Sequence, residues 1–299
     1  MLKLRPWLLL LAPAIALLAG CAGPAPTIGS VPRVQNRFAA YGTNQVHYQM
    51  EGSGPQDVVL VHCWAGNLGF WRDQTRALAG KARVISIDLP GHGQSDKPQA
   101  AYTMDFFAGA VLAVMRDAHS PRATLIGHSM GVPVICRVYQ KEPSRVAALV
   151  SVDGFMRKPK MEADQAELFI APFRAPGYRD YTRDFMASMF PVPGTDALRD
   201  RVLTELLETP QYVMVSAMEG MFSATQPDWD PGKLDIPVFS IHTTNPMWTE
   251  DYQRYVKGLS PRAEYQTMAA TGHWLMMERP GEFNLALTDF LQRQGLIAK

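Results

Sequence analysis

Apolar residues along this chain alternate between short continuous runs and longer stretches with helical spacing. Runs such as Val58-Val59-Leu60-Val61 are followed by segments whose apolar positions recur every three or four residues. A short continuous apolar run is typical of a strand that is buried on both faces of a parallel sheet. Repeated alternation of such strands with helices predicts an α/β fold, in which a mostly parallel central sheet carries helices on both faces.

The pattern begins with a hairpin around Gly42-Thr43-Asn44, and six further strands follow it. The predicted strands cover residues 37–41, 45–51, 58–62, 82–88, 123–127, 147–152, 238–242 and 264–268. The helices predicted between and after them cover residues 71–78, 104–118, 129–140, 250–258 and 282–294. These elements define a core of residues 37–154 and 233–299.

A helical insertion, residues 155–232, interrupts the alternation and is rich in Met and aromatic residues. Thr209-Pro210 predicts a helix start inside it, with Thr209 as the N-cap residue. We expect most of its apolar side chains to pack the insertion onto the sheet. A helical layer over the carboxyl edge of a parallel sheet also covers the place where ligands bind, so we expect an apolar pocket suited to an acyl or aromatic group.

The N-terminus has the pattern of a segment that directs export. Lys3 and Arg5 precede an apolar stretch too short for a spanning helix, which predicts a signal peptide over residues 1–20. Leu18-Ala19-Gly20-Cys21 resembles the lipobox of bacterial lipoproteins. The resemblance implies cleavage before Cys21, lipid on its thiol, and a chain secreted across the bacterial inner membrane and anchored in the cell envelope, facing the periplasm.

An ordinary signal peptide that ends near Ala22 is the alternative to the lipoprotein interpretation. In either case residues 21–36, with several Pro and Gly and few large apolar side chains, are predicted to form a flexible tether.

Charge and cysteine content exclude several classes of protein. The chain has 29 Lys+Arg against 28 Asp+Glu with no basic stripe, so no nucleic-acid partner is expected. Its 3 Cys are too few for a disulfide scaffold, and no Cys or His residues stand at zinc-site spacing. No metal site is therefore predicted, and the near-neutral charge favours an uncharged, apolar small-molecule substrate.

The strongest chemical motif is Gly127-His128-Ser129-Met130-Gly131, between an apolar strand and a predicted helix. A sharp strand-to-helix turn needs small residues on both sides of a nucleophile, and it raises the Ser hydroxyl above the sheet. This G-x-S-x-G pattern in its strand–turn–helix context predicts Ser129 as a catalytic nucleophile.

Three other segments, together with this motif, resemble the α/β-hydrolase family, in particular serine esterases with a helical cap. They are His62-Cys63-Trp64-Ala65-Gly66-Asn67, Asp88-Leu89-Pro90-Gly91-His92-Gly93-Gln94-Ser95-Asp96 and Gly272-His273-Trp274-Leu275-Met276-Met277-Glu278-Arg279-Pro280. The resemblance covers about residues 37–155 and 233–295, and the insertion lies where the family carries its cap. It implies no cofactor.

The resemblance implies roles for individual residues. His273 is the expected base, and the backbone N–H groups of Trp64 and Met130 are the expected oxyanion-hole donors. Cys63 stands where relatives usually have Gly, which puts the geometry of its loop in question. Cys63 as a nucleophile and His242 as a base are the rival assignments, but neither has a matching motif. Of the other histidines, His47 and His119 are expected at the surface, while His62, His92 and His128 are expected to brace the sheet edge and its turns.

The acid of the expected triad stays open at this point. Most relatives carry it after the strand that follows the cap, where this chain has Asn245. Loss of the carboxylate costs a serine enzyme on the order of 10⁴ in rate, so another acid is expected. Asp153, at the end of the preceding strand, is favoured; Glu250 and Asp251 are alternatives, although acids at a helix start also complement the helix dipole.

These residues predict a serine hydrolase that cleaves carboxylic ester or thioester-like bonds through an acyl-enzyme. An acyltransferase or a C–C hydrolase on the same scaffold remains an alternative. A catalytically weak, lipid-tethered binding protein is a third possibility, because Asn245 replaces the usual Asp. The sequence does not indicate the oligomeric state.

Overall fold

A computed structural model describes residues 34–223 and 225–299 of the protein. The predicted signal peptide, Cys21 and residues 21–33 of the tether lie outside the described residues. Eight strands form one sheet in the order β1-β2-β4-β3-β5-β6-β7-β8. They are β1 Gln35–Tyr41, β2 Asn44–Glu51, β3 Asp57–Val61, β4 Arg83–Ile87, β5 Ala123–His128, β6 Val146–Val152, β7 Val238–Thr243 and β8 Ala263–Met268.

The sheet is parallel from β4 to β8, and the β1–β2 hairpin joins β4 in antiparallel pairing. Ten α-helices lie among the described residues. They are α1 Arg72–Leu78, α2 Met104–Asp117, α3 Gly131–Lys141, α4 Ala163–Arg174, α5 Tyr178–Ala187, α6 Asp196–Leu206, α7 Gln211–Phe222, α8 Glu250–Lys257, α9 Leu275–Glu278 and α10 Pro280–Arg293.

Burial follows the position of each strand in the sheet. Every residue of β3, β5 and β7 is buried, which explains their continuous apolar runs. At the edge, β8 carries polar residues and is mostly exposed or half-buried. The central strands are therefore covered on both faces, and the predicted α/β-hydrolase fold is confirmed.

Right-handed crossovers determine which helices cover which face. Across the sheet, the step from β3 to β4 runs in the opposite direction to the step from β4 to β5. Helix α1, which makes the first connection, therefore lies on the face opposite α2, which makes the second. Helices α2 and α3 pack against each other, and α1 packs against α10. Helices α4 to α7 come between β6 and β7 and make up most of the helical insertion.

Four local expectations differ from the structure, three of them outside the helical insertion. Strand β1 begins at Gln35, inside the segment predicted as a tether. Helix α3 begins at Gly131 and not at Ser129, because Ser129 has a left-handed backbone. His47, expected at the surface, is fully buried, and its Nδ1 lies 2.7 Å from the carboxylate of Asp88.

Thr209 is not the N-cap of α7, as the sequence predicted. Pro210 occupies the N-cap position, and the Thr209 hydroxyl instead donates to the carbonyl of Ala65, 3.1 Å away. Its bond to another part of the chain replaces the local bond that helix capping would have required.

Within residues 34–223 and 225–299, none of the helices is both long enough and apolar enough to cross a membrane.

Candidate active site

Ser129 lies on a sharp turn between β5 and α3 at the carboxyl edge of the sheet. Its φ of +53° is a left-handed conformation that non-glycine residues seldom adopt. The flanking glycines explain how the turn closes. A Cβ on Gly127 would lie 2.4 Å from the carbonyl carbon of Gly131, and a Cβ on Gly131 would lie 2.3 Å from the Val61 oxygen. The G-x-S-x-G spacing is therefore a packing requirement of this turn.

The next strand holds the same turn from the other side. The Ser129 N–H donates to the Val152 carbonyl at 2.9 Å, and a Cβ on Gly154 would lie 2.6 Å from the Ser129 oxygen. Asp153, which lies between Val152 and Gly154, also has a left-handed backbone, with φ +44°. The ends of β5 and β6 thus fix Ser129 and Asp153 beside each other.

Asp153 and His273 form a short hydrogen-bonded pair. Asp153 Oδ2 lies 2.6 Å from His273 Nδ1, although the two residues are 120 positions apart in the chain. The other oxygen, Oδ1, accepts from the Thr243 N–H and from the Trp248 indole, each at 3.0 Å. With Nδ1 engaged in this way, the Nε2 of His273 is the ring nitrogen available to a reacting group.

The surroundings of Asp153 keep its carboxylate ionised. Burial by itself raises the pKa of Asp153, but interactions with His242 and His273 oppose burial and hold this pKa well below its usual value. The side chain is only about 4% exposed. A buried, ionised carboxylate on an imidazole is the arrangement that holds a catalytic histidine in one tautomer.

His242, considered as a rival base, lies on the other side of Asp153. Its Nδ1 is 3.7 Å from Asp153 Oδ1, and its Nε2 lies 2.6 Å from the Ser240 hydroxyl. Its ring is fully buried and packs against Trp248 and Tyr265, and burial lowers the pKa of the imidazole. His242 therefore faces the acid and does not line the pocket that contains Ser129.

Of the alternatives to Asp153, Glu250 and Asp251 lie away from the pocket that contains Ser129, whereas Asn245 lines it. Glu250 and Asp251 are exposed at the start of α8 and pair with Arg254. Asn245 is exposed, and its side-chain oxygen accepts from the Met247 N–H at 2.9 Å. Of the four candidates for the acid position, Asp153 is the one whose carboxylate the fold brings to His273.

Three hydrogen bonds hold the loop that carries His273. Its N–H donates to the Met189 carbonyl of the helical insertion at 3.1 Å, and its own carbonyl accepts from His128 Nε2 at 2.9 Å. The Gly272 N–H donates to Glu278 Oε2 at 2.7 Å. Burial lowers the pKa of His128 to about 3, so this supporting histidine is neutral near pH 7.

The backbone donors expected of an oxyanion hole lie on two neighbouring segments. Met130 immediately precedes α3, and Trp64 lies in the loop after β3, which we call the oxyanion loop (residues 62–67). Both residues line the same cavity as Ser129. Among the described residues, neither backbone N–H donates a hydrogen bond, so both are available to a ligand.

Cys63, which replaces the usual Gly, does not distort the oxyanion loop. The left-handed residue of this loop is Ala65, with φ +56°, and not Cys63. Cys63 is buried, and burial raises the pKa of its thiol to about 12. Its thiol is protonated near pH 7, which argues against a nucleophilic role.

A cavity of about 470 Å³ opens above Ser129. Sheet-edge loops form its floor, and the helical insertion supplies much of its wall. Met, Phe, Trp and Pro side chains dominate the lining: Trp64, Met130, Pro133, Phe155, Pro159, Phe185, Met186, Met189, Pro191, Met218, Met221, Phe222, Trp229, Met247 and Trp248. Asp153 is the one carboxylate on the lining, which has no Lys or Arg among the described residues. Such a cavity favours an uncharged apolar guest.

Other buried titratable groups have structural partners. Asp88 accepts from the Leu68 N–H and the Gln94 N–H besides pairing with His47, and these bonds tie the turn after β4 to the hairpin. His92 bonds the carbonyl of Pro90 within that turn, as expected. Across residues 34–223 and 225–299, no group of three or more His, Cys, Asp or Glu side chains is arranged to hold a metal ion.

Comparison with known proteins agrees with this fold. A family model described as alpha/beta hydrolase fold matches residues 58–196, the segment that carries Ser129 and Asp153. The chain is similar to the dihydrolipoyllysine-residue acetyltransferase component of the acetoin cleaving system of Pseudomonas putida, with 27% identity over 82% of this chain and 66% of the relative. The match therefore spans slightly less than two thirds of that relative's length.

Two further similarities concern esterases. The pimeloyl-(acyl-carrier protein) methyl ester esterase of Methylococcus capsulatus is 36% identical over 46% of this chain and 54% of its own length. Among solved structures, a thermophilic esterase from Thermogutta terrifontis superimposes with a TM-score of 0.77 at 21% identity, covering 87% of this chain and 98% of the esterase. The protein thus has the α/β-hydrolase fold, and enzymes with hydrolase and esterase names are among its relatives and structural neighbours.

Proposed function

We propose that this protein is a serine hydrolase that cleaves carboxylic ester or thioester-like bonds of small, uncharged substrates through an acyl-enzyme. One observation carries the proposal. Ser129, on its left-handed turn, opens into the same apolar cavity as His273, whose Nδ1 is 2.6 Å from the carboxylate of Asp153. Hydrolase activity is also supported by the relatives, whereas the mechanism and the substrate are proposed from the site.

In the proposed mechanism, the Ser129 oxygen attacks the carbonyl carbon of the ester while His273 Nε2 takes the hydroxyl proton. The N–H groups of Trp64 and Met130 stabilise the oxyanion, and the partial positive charge at the start of α3 adds to this effect. His273 then gives its proton to the leaving alcohol. Water attacks the acyl-enzyme by the same route in reverse, which releases the acid and restores Ser129.

The lining of the cavity indicates the class of substrate. Among the described residues, the wall of Met and aromatic side chains contains no Lys or Arg, so it offers no counter-ion to an anionic acyl group. Burying an unpaired charge there would cost several kcal/mol, whereas each buried methylene contributes about 0.8 kcal/mol. We therefore infer that the acyl portion is uncharged and that its length is limited by a volume of about 470 Å³.

Labelling with a fluorophosphonate probe tests the nucleophile directly, because such probes react with activated serine hydroxyls. We expect the wild-type protein to be labelled near pH 7 and Ser129→Ala to be unlabelled. Ser188→Ala is a matched control, since Ser188 lines the same cavity but its hydroxyl is bonded to the Phe185 carbonyl. Equal absence of label in wild type and Ser129→Ala would refute the proposal.

The alternative reactions differ in their products. Transfer of the acyl group to an alcohol or amine, or hydrolysis of a C–C bond, would use the same serine and base. Product analysis on a panel of nitrophenyl esters of graded acyl length, with and without added alcohol, distinguishes transfer from hydrolysis. The alternative of a catalytically weak binding protein was based on Asn245 in place of the usual Asp. It loses this argument, because the carboxylate of Asp153 lies 2.6 Å from His273 Nδ1.

We further propose that the protein is lipid-anchored through Cys21 in the bacterial cell envelope, on the strength of the lipobox-like sequence Leu18-Ala19-Gly20-Cys21. Metabolic incorporation of an alkyne-tagged fatty acid should label the wild-type chain and not Cys21→Ser. The variant should also move from the membrane fraction to the soluble fraction. Equal labelling of both chains would contradict this assignment.

A further inference from the structure

The oxyanion loop is tied to the helical insertion by three side-chain hydrogen bonds. The Trp64 indole donates to the Met214 carbonyl at 2.9 Å, and the Thr209 hydroxyl donates to the Ala65 carbonyl at 3.1 Å. The Asn67 amide donates to Glu205 Oε2 at 2.9 Å. Three residues of the oxyanion loop, Trp64, Ala65 and Asn67, thus each bond to helix α6, helix α7 or the turn between them.

One of these bonds acts at a residue whose backbone conformation is unfavourable. Ala65, whose carbonyl receives the Thr209 hydroxyl, has a φ of +56°, which is unfavourable for a residue with a Cβ. It directly follows Trp64, whose backbone N–H is an expected oxyanion donor. The Thr209 bond holds the Ala65–Gly66 peptide group. The Gly66 N–H of that peptide group donates at 3.1 Å to the Cys63 carbonyl, which belongs to the peptide group that carries the Trp64 N–H.

Two of the three bonds, those of the Trp64 indole and the Thr209 hydroxyl, are also protected from water. Trp64, Ala65 and Thr209 are each less than 5% exposed. Loss of one partner would leave a buried carbonyl unsatisfied, which costs more than an exposed hydrogen bond contributes.

We propose that the helical insertion positions the oxyanion hole, with Thr209 and Glu205 as positioning residues that hold the oxyanion loop. The inference rests on the proposed serine-hydrolase function of the same site. It assigns to the insertion a second role besides enclosing the substrate. Helix α7 serves both roles, because it lines the cavity through Met218, Met221 and Phe222 and bonds the oxyanion loop through the Met214 carbonyl.

The substitution Thr209→Val tests this, since valine keeps the shape of threonine and removes the hydroxyl. We expect kcat for a nitrophenyl ester to fall about tenfold with KM changed less than twofold, because an oxyanion hole acts in the transition state. Affinity for a trifluoromethyl ketone, which forms a tetrahedral adduct with serine, should fall by a similar factor. Thr209→Ser should restore both quantities.

A matched control is available in the same insertion. Thr204 lies on α6, and its hydroxyl bonds only the Asp200 carbonyl within that helix among the described residues. Thr204→Val should leave kcat, KM and inhibitor affinity within twofold of wild type. If Thr209→Val matches this control, or if it raises KM alone, the insertion merely packs against the loop and the proposal is wrong.

Glu205→Leu supplies a second measurement if Thr209→Val folds poorly, because Glu205 is half-buried on α6 and its loss leaves no buried cavity. It should lower kcat severalfold, and Glu205→Gln, which keeps an oxygen acceptor for Asn67, should restore it. Unchanged kcat in Glu205→Leu would overturn its assigned role. The two proposals fail by different outcomes. If the proposed function is wrong, the wild-type protein lacks fluorophosphonate labelling. If only this inference is wrong, the wild-type protein is labelled and active.

Discussion

The sheet core and the helical insertion contribute to the site in different ways. The core supplies the reacting groups Ser129, Asp153 and His273, each held by directional hydrogen bonds or by a close backbone approach. The insertion supplies much of the cavity wall, chiefly through Met and Phe side chains. Directional contacts fix atoms within a few tenths of an ångström, whereas apolar contacts tolerate exchange. The proposed chemistry should therefore depend on single core residues, and substrate choice on the combined shape of the insertion.

The two regions are not independent. The insertion bonds the His273 loop through the Met189 carbonyl and the oxyanion loop through Met214, Thr209 and Glu205. The reacting groups and the oxyanion loop are therefore positioned at the boundary between the two regions. Four predictions test how sharply the two contributions divide.

The largest effect is expected in the core. Asp153→Asn keeps the size of the side chain but removes the charge that holds His273 in its tautomer, so kcat should fall by about 10⁴-fold. Steady-state kinetics on a short-chain nitrophenyl ester measures it. Asp251→Asn is the control, because Asp251 is exposed on α8 and pairs with Arg254; it should stay within twofold of wild type. A larger loss in Asp251→Asn would reverse the assignment of the acid.

Acid should weaken the core specifically, because all 7 histidines lie outside the insertion. Burial lowers the pKa of His92 and of His128 to about 3. The unfolded chain takes up protons on these residues near pH 6.5 and the folded chain only near pH 3. Stability is therefore lost as the pH falls from about 6.5 toward 3, by about 4 kcal/mol for the two together at pH 5.

Urea unfolding at pH 7 and pH 5 measures that loss. His92→Asn, which keeps a donor for the Pro90 carbonyl, should reduce the difference in unfolding free energy between the two pH values. His119→Asn is the matched control at an exposed position and should not change it. An undiminished difference in His92→Asn would show that other groups are responsible.

A moderate effect is expected from the wall of the cavity. Met189→Ala removes a side chain that lines the cavity while leaving the carbonyl bonded to His273. The kcat/KM for longer acyl chains relative to short ones should rise about tenfold, because one or two methylenes are worth 1–3 kcal/mol in an apolar pocket. Leu168→Ala, at an exposed position on α4, should leave the ratio unchanged. A fall in kcat for every ester alike would mean that the wall also takes part in the chemistry.

The smallest effect is expected from surface charge on the insertion. Glu219→Gln breaks an exposed pair with Arg174 and should change the free energy of unfolding by less than about 0.5 kcal/mol. Asp57→Asn in the core should cost about 2 kcal/mol, because Asp57 is nearly buried and holds Arg83 with both oxygens. Denaturant midpoints compare the two, and equal losses would contradict the division between core and insertion.

Local sequence was most informative where one short segment contains the whole physical requirement. The G-x-S-x-G segment predicted the turn at Ser129 because the close approaches of Gly127 and Gly131 are made within that turn and to the adjacent strand. The short motif Gly272-His273, which follows the last strand, predicted the base His273 in the same way. The central strands were predicted from their continuous apolar runs, because burial on both faces leaves no polar position.

The acid and the positioning residues required the tertiary structure. Asp153 was favoured from sequence, but Glu250, Asp251 and Asn245 stayed open because the partner, His273, lies 120 residues away and only the sheet order brings β6 to the His loop. Thr209 looked like a helix cap, and His47 like a surface residue. Both instead make bonds to distant parts of the chain, to Ala65 and Asp88, and no local pattern encodes such bonds.

The sequence by itself therefore determined the order of strands and helices, the nucleophile and base expected from short motifs, and the place of the apolar insertion. The tertiary structure decided which carboxylate faces the imidazole and what the insertion contacts. The physical reason is range: periodicity and turn chemistry act between neighbours in the chain, whereas pairing of buried polar groups depends on which distant segments the sheet brings together.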